Sequence, residues 1–195
     1  MISKTKKMIL EIFKGITLTK QETDRIENTF KKVHFKKGDI VLHTNETVTH
    51  QYYVYFGCLR TYFIDPQGKE HTIQFAIKDW WISDYIGYFS ETKSVLTIEC
   101  IEDATLFKIA KKDIEETYDQ IPKIERFFRK KMERSFVSFQ KRILANLSQP
   151  AKERYINFTK TYPNIEQQVK NYHIASYLGI TTESLSRIRK EIAKK

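Results

Sequence analysis

The chain has 195 residues, 41% hydrophobic and 13% aromatic, which is enough for one large domain or two small ones with a true core. No stretch approaches the ~20 continuous apolar residues of a membrane span, and MISKTKKMIL runs into Glu11 without the apolar region or cleavage site of a signal peptide, so a cytoplasmic protein with no membrane partner is expected. The net charge of +10 is unevenly placed: residues 1–121 carry 17 Lys+Arg against 18 Asp+Glu, whereas residues 122–195 carry 17 against 6.

That asymmetry suggests a polyanionic partner for the C-terminal part, nucleic acid first, although a merely solvated basic surface would carry the same charge. Cys58 and Cys100 show no CxxC or Cys/His spacing. Two thiols are also too few for a cysteine-ligated iron–sulfur cluster, so both are read as buried thiols in a reducing compartment.

Two short helices are predicted to open the chain. Ile9, Leu10, Ile12 and Phe13 share one helical face, and Thr19 with Glu22 forms a capping box for a helix from Lys20 to about Phe30. From Val33 to Ala110 the pattern turns to short β-branched and aromatic runs separated by turn signals. The clearest turn is Asp65-Pro66-Gln67-Gly68, where Pro66 presets φ and Gly68 accepts positive φ. Short strands at this spacing predict an antiparallel barrel or jelly-roll.

After Lys111-Lys112-Asp113 the period lengthens. Ile121, Ile124, Phe128, Met132, Phe136, Phe139, Ile143 and Leu147 recur every three or four residues, and Phe127, Val137 and Leu144 widen the stripe. A helix this apolar packs either on its own barrel or on the same helix of a second copy; the second is favoured, because helix pairing gives a symmetric dimer. Pro150 ends it, and a further helix from Ala151 to about Lys160 and a break at Tyr162-Pro163-Asn164 follow.

His173–Lys190 reads HIASYLGITTESLSRIRK. Ile174, Ala175 and Leu178 give one apolar face, Gly179 supplies a sharp turn at positive φ, Ile180 plugs it, and Thr181 is placed to cap a second helix. With Leu185 and Ile188 facing inward, the outward positions are Thr182, Glu183, Ser186, Arg187 and Lys190. Arg187 can pair with guanine O6 and N7, Glu183 can accept from cytosine N4, and Ser186 can adapt to either. Thr181, Thr182, Arg189, Lys190, Lys194 and Lys195 are the candidate phosphate or flanking contacts. An ordinary helical hairpin with glycine at the bend is the plainer alternative.

With this motif in view, the sequence resembles the Crp/Fnr family of transcription regulators over nearly its whole length. Glu183-Ser184-Leu185-Ser186-Arg187-Ile188 is similar to that family's recognition-helix core, and Lys36-Lys37-Gly38-Asp39 and Val54-Tyr55-Phe56-Gly57 resemble its roll turns. The resemblance implies an α+β chain: a jelly-roll-like antiparallel β-roll sensor (residues 1–115), a long dimerisation helix (116–147) and a helix-turn-helix domain (148–195). It also implies double-stranded DNA, a second copy of the chain and RNA polymerase as partners, base contacts from Glu183, Ser186 and Arg187, and a half-site resembling TTGA.

The family's cyclic AMP binders carry a Gly-Glu pair and, further on, an Arg-Ser or Arg-Thr pair. Here Ser83-Asp84 and Lys93-Ser94 stand at those places and form the candidate effector pocket. The family implies a cyclic nucleotide or another small effector, but Lys93 lacks the planar fork of arginine and Asp84 is a carbon short, which counts against tight cyclic AMP binding. Trp80, Trp81, Tyr85 and Tyr88 crowd the same region and are read mainly as core.

No catalytic or metal-binding set is expected. His34, His43, His50, His71 and His173 form no HxH pair of the kind a jelly-roll metalloenzyme needs. The alternative to a DNA-binding regulator is a ligand-sensing module that acts through protein partners.

Overall fold

In a computed structural model, residues 4–194 are described. Helices α1 (Lys4–Ile12) and α2 (Lys20–Thr29) come first. Both halves of the predicted capping box are made at α2: the Glu22 amide donates to Thr19 Oγ1, and the Thr19 amide donates to the Glu22 carboxylate.

Eight strands then build the roll: β1 (Lys31–Phe35), β2 (Ile40–Leu42), β3 (His50–Phe56), β4 (Leu59–Ile64), β5 (Glu70–Ala76), β6 (Trp81–Ile82), β7 (Thr97–Cys100) and β8 (Ala104–Ala110). They form two antiparallel four-stranded sheets, ordered β1-β8-β3-β6 and β2-β7-β4-β5. The predicted turn at 65–68 joins β4 to β5, with the Asp65 carboxylate accepting from the Gln67 and Lys69 amides and Gly68 at φ 82°. Between the sheets, Val54, Leu59, Ile98, Cys100 and Leu106 are fully buried. Cys58 and Cys100 are free thiols inside, each pushed up to about 12 by burial, and therefore poor nucleophiles.

The helical part begins with α4 (Lys111–Gln120), which is broken from α5 (Pro122–Ser148) at Ile121. Pro122 stands at the first position of α5, where its missing N–H costs nothing. The stripe that starts at Ile121 is thus carried by α5, a helix distinct from the one before it. Gln149 is extended, as the residue before Pro150 must be, and this ends α5. Next come α6 (Ala151–Thr161), a short 3-10 turn (Ile165–Gln167), α7 (Asn171–Leu178) and α8 (Thr182–Ala193). Among the described residues no helix is long and apolar enough to cross a membrane.

The two halves of α5 differ in what they touch. Ile124 and Phe128 are buried in a cluster with Ile9, Phe13, Ile26, Phe30 and Phe107, so α1, α2 and the start of α5 pack on the roll's first sheet. Farther along, Phe136, Val137, Phe139, Ile143, Leu144 and Leu147 are all exposed, Leu147 to 81%. Of the two packing modes considered from sequence, packing on its own roll holds for the first half of α5, and the second half is left uncovered in the monomer.

The C-terminal helices share a core with the roll. Phe158, Tyr162, Ile174, Leu178, Leu185 and Ile188 are buried together with Phe75 of the second sheet and with Cys58 and Ile101, which flank its strands.

Candidate nucleic-acid interface

Helices α7 and α8 meet at Gly179, which has φ 64° and ψ 38°. An added Cβ would find open space there, so it is the left-handed backbone and not crowding that calls for glycine. The Ile180 amide reaches back to the Ala175 carbonyl at 3.0 Å and the Gly179 amide to Ser176 at 3.1 Å, closing the end of α7. Thr181 caps α8 by accepting the Ser184 amide at 3.2 Å. Leu185 and Ile188 are buried against Ile174, Ala175 and Leu178, and this fixes the rotation of α8 about its axis.

The opposite side of α8 faces out. Glu183, Ser186 and Arg187 are exposed and, with Lys190, Glu191 and Lys194, line a single shallow recess. The backbone amide of Glu183, then the Thr181 and Thr182 hydroxyls, holds the Glu183 carboxyl below its ordinary value, so it is an anionic acceptor at neutral pH. Thr182 is half-buried beside it, and its hydroxyl donates to Glu183 at 3.1 Å. Thr181 is occupied by its capping role.

Arg189 does not share this face. Its guanidinium turns inward to Glu166 at 2.7 Å, to Asn171 Oδ1 at 2.6 Å and to Tyr155 Oη at 3.3 Å, tying α6, the 3-10 turn, α7 and α8 together. The expected phosphate contact is corrected accordingly: three internal acceptors hold Arg189, and the outward cations are Arg187, Lys190 and Lys194. Lys195 lies outside the described residues.

A cyclic nucleotide-binding domain family matches residues 32–120, the roll and the helix after it. The anaerobic regulatory protein of Haemophilus influenzae is 22% identical over 186 residues, covering 88% of this chain and 71% of its own. FixK2 from Bradyrhizobium japonicum has the same fold, with a TM-score of 0.74 at 17% identity over 85% of each chain. A Crp/Fnr-family transcriptional regulator from Eubacterium rectale gives 0.66 at 20% identity over 90% of this chain and 84% of that one.

The chain is therefore similar to transcription regulators of the Crp/Fnr family. The curated relatives it matches are named as regulatory proteins and not as enzymes. Three of the four residues at the effector positions, Ser83, Asp84 and Ser94, are spent on the fold. Asp84 is fully buried and caps a six-residue helix, α3 (Tyr85–Ser90), accepting from the Ile86 and Gly87 amides. Its other oxygen accepts from Ser94 Oγ at 2.8 Å, the Val95 amide at 2.8 Å and the Leu96 amide at 3.2 Å. Ser83 Oγ donates to the His50 carbonyl at 2.9 Å, and Lys93 is exposed. A carboxylate with five internal donors has no capacity left for a ribose hydroxyl, so Asp84 does not fit that role.

A concavity of the chain lies elsewhere. It is a cleft of about 880 Å³, lined by Trp80, Trp81, Tyr85, Met132, Phe139 and Arg142, among others. None of Ser83, Asp84, Lys93 and Ser94 reaches it, and Phe139 belongs both to this cleft and to the bare stripe of α5. Sequence reasoning placed the tryptophans mainly in the core; the half-exposed wall they form depends on how the roll meets α5, which no local pattern encodes.

Proposed function

We propose that this protein is a sequence-specific DNA-binding regulator that acts as a homodimer. Two copies pair along the second half of α5, and each places α8 in the major groove one turn of B-DNA from the other, about 34 Å. Within each half-site, Arg187 reads guanine, Glu183 accepts from cytosine N4 and Ser186 supplies an adaptable hydroxyl. Lys190 and Lys194 neutralise phosphates and set register, with Thr182 flanking. The single observation that carries this reading is the split face of α8: Leu185 and Ile188 are locked inside, while Glu183, Ser186 and Arg187 stand together outside.

Pairing follows from the six apolar side chains exposed along α5, a stripe too continuous to leave in water. The roll with α4, then α5 (in place of the 116–147 expected from sequence, because the chain breaks at Ile121), and then the helices after Pro150 act as sensor, dimer helix and DNA-binding domain. The roll does not bind cyclic AMP tightly, because Asp84 and Ser94 are committed to each other and to the start of α3. RNA polymerase is the partner through which such a regulator would act.

Selection from random duplexes tests the proposal. A palindromic site with half-sites about 10 base pairs apart is expected, unchanged by cyclic AMP. Failure to enrich any sequence, with binding that only follows salt, would count against a reading helix.

A further inference from the structure

The strand β5 is a free edge of its sheet, and an edge strand carries N–H and C=O groups that need partners. Here the partners come from the C-terminal half of the chain. Ser176 of α7 uses one hydroxyl twice, accepting from the Thr72 amide at 2.9 Å and donating to the Glu70 carbonyl at 3.1 Å. Arg142 of α5 donates to the Ile73 carbonyl, and Tyr162 Oη donates to the Phe75 carbonyl at 3.3 Å. The Phe75 ring is packed among Phe158, Tyr162 and Tyr177.

One charge anchors this seam. Arg60 of β4 is 3% exposed, with Nε and Nη2 on Glu99 at 2.7 and 2.6 Å and Nη1 on Glu70 at 2.7 Å. The same Nη1 donates to His173 Nδ1 of α7 at 2.6 Å, and the guanidinium lies over the Tyr62 ring, 3.9 Å from its centroid. A guanidinium only donates, so Nδ1 must present its lone pair and His173 is neutral in this contact. Buried arginine needs every such acceptor, and one of them belongs to the DNA-binding domain.

We propose that the free edge of β5 is a docking rail that sets where the recognition helix sits, with Arg60 and Ser176 as positioning residues for DNA reading. His173 and Ser176 are on the same helix as Ala175 and Leu178, against which Leu185 of α8 is buried, so an uninterrupted packed path runs from β5 through α7 to α8. The roll thereby fixes the angle of α8 directly, in addition to the covalent link through α5. The docked contact leaves Glu183, Ser186 and Arg187 uncovered, so it aligns the reading face without masking it.

This inference rests on the DNA-binding reading, and its test separates the two. Full-length Arg60→Met and Ser176→Ala are compared with the parent protein on an isolated half-site and on paired half-sites at the selected spacing and about 5 base pairs away, half a turn. Both variants are expected to keep half-site affinity within about twofold while the penalty for wrong spacing falls by about tenfold. Ser176→Ala removes one hydroxyl and serves if Arg60→Met does not fold.

Amide exchange at Thr72 is the readout that needs no DNA: it is slow in the parent protein and faster in both variants. An unchanged spacing penalty overturns the proposal, as does a loss of half-site affinity with spacing preference intact, or a Thr72 amide that exchanges freely in the parent. If the parent binds no duplex, the DNA-binding reading fails and Thr72 exchange alone decides the docking.

Discussion

The N-terminal ends of α3 and α8 each carry a carboxylate, yet the two face opposite ways. At α3 Asp84 stands at the capping position and caps the helix, Ser83 beside it is bonded to the His50 carbonyl, and Ser94 with two further amides closes over the same carboxylate. At α8 Thr181 takes the capping role, and Glu183, held by the Thr182 hydroxyl, stays exposed at the surface beside Ser186 and Arg187. The difference teaches that the residue that caps a helix decides which acid remains for a partner. A carboxylate in a ligand-like sequence context can be wholly absorbed by the fold.

The largest expected effect tests the inward half of this comparison. Asp84→Ala strands buried donors and should cost about 3–5 kcal/mol, lowering the melting midpoint by roughly 10 °C or more. A loss below about 1 kcal/mol would mean that the cluster is not structural.

Next comes His173, the point where the inward network meets the DNA-binding domain. Burial first, then the charge of Arg60, holds its pKa down to about 4, below the ordinary 6.5. The unfolded chain therefore takes up a proton that the folded chain refuses. This contribution is complete above pH 6.5 and is lost as the pH falls toward 4, by at most about 3 kcal/mol. Urea melts between pH 7 and 4 should show the slope, and His173→Gln should flatten it.

Phe136→Glu and Leu144→Glu probe the outward half of α5 and should each weaken self-association by about 2 kcal/mol, giving monomers in sedimentation with the fold retained. Phe128→Ala, on the inward half, should instead lower the melting midpoint. The smallest effect bears on the caps themselves. Thr181→Ala should cost about 1 kcal/mol and draw Glu183 into the vacated cap, relaxing base preference at one position of the site.

Much of this architecture is legible in residue order, for identifiable reasons. The strands follow alternation and turn residues, α2 follows Thr19 and Glu22, and the helix–turn–helix follows from Gly179, Thr181 and the spacing of Leu185 and Ile188. What escapes is set by distant partners. The six residues of α3 are too few for a period, so Asp84 reads as a ligand contact until its five donors are known. Arg60 and His173 lie 113 positions apart, and nothing local pairs them. Arg189 looks like Arg187 in sequence; only the 3-10 turn carrying Glu166 turns one inward and leaves the other outside. The break at Ile121 did have a local sign, Pro122.

The ratio of specific to nonspecific duplex affinity is compared for the parent protein, Arg187→Ala and Lys194→Ala across a salt series. Arg187→Ala should lose about 1–3 kcal/mol per half-site of that ratio, whereas Lys194→Ala should keep the ratio and reduce the salt slope by about 0.9. A ratio unchanged in Arg187→Ala would contradict the assignment of α8 as the element that reads base pairs.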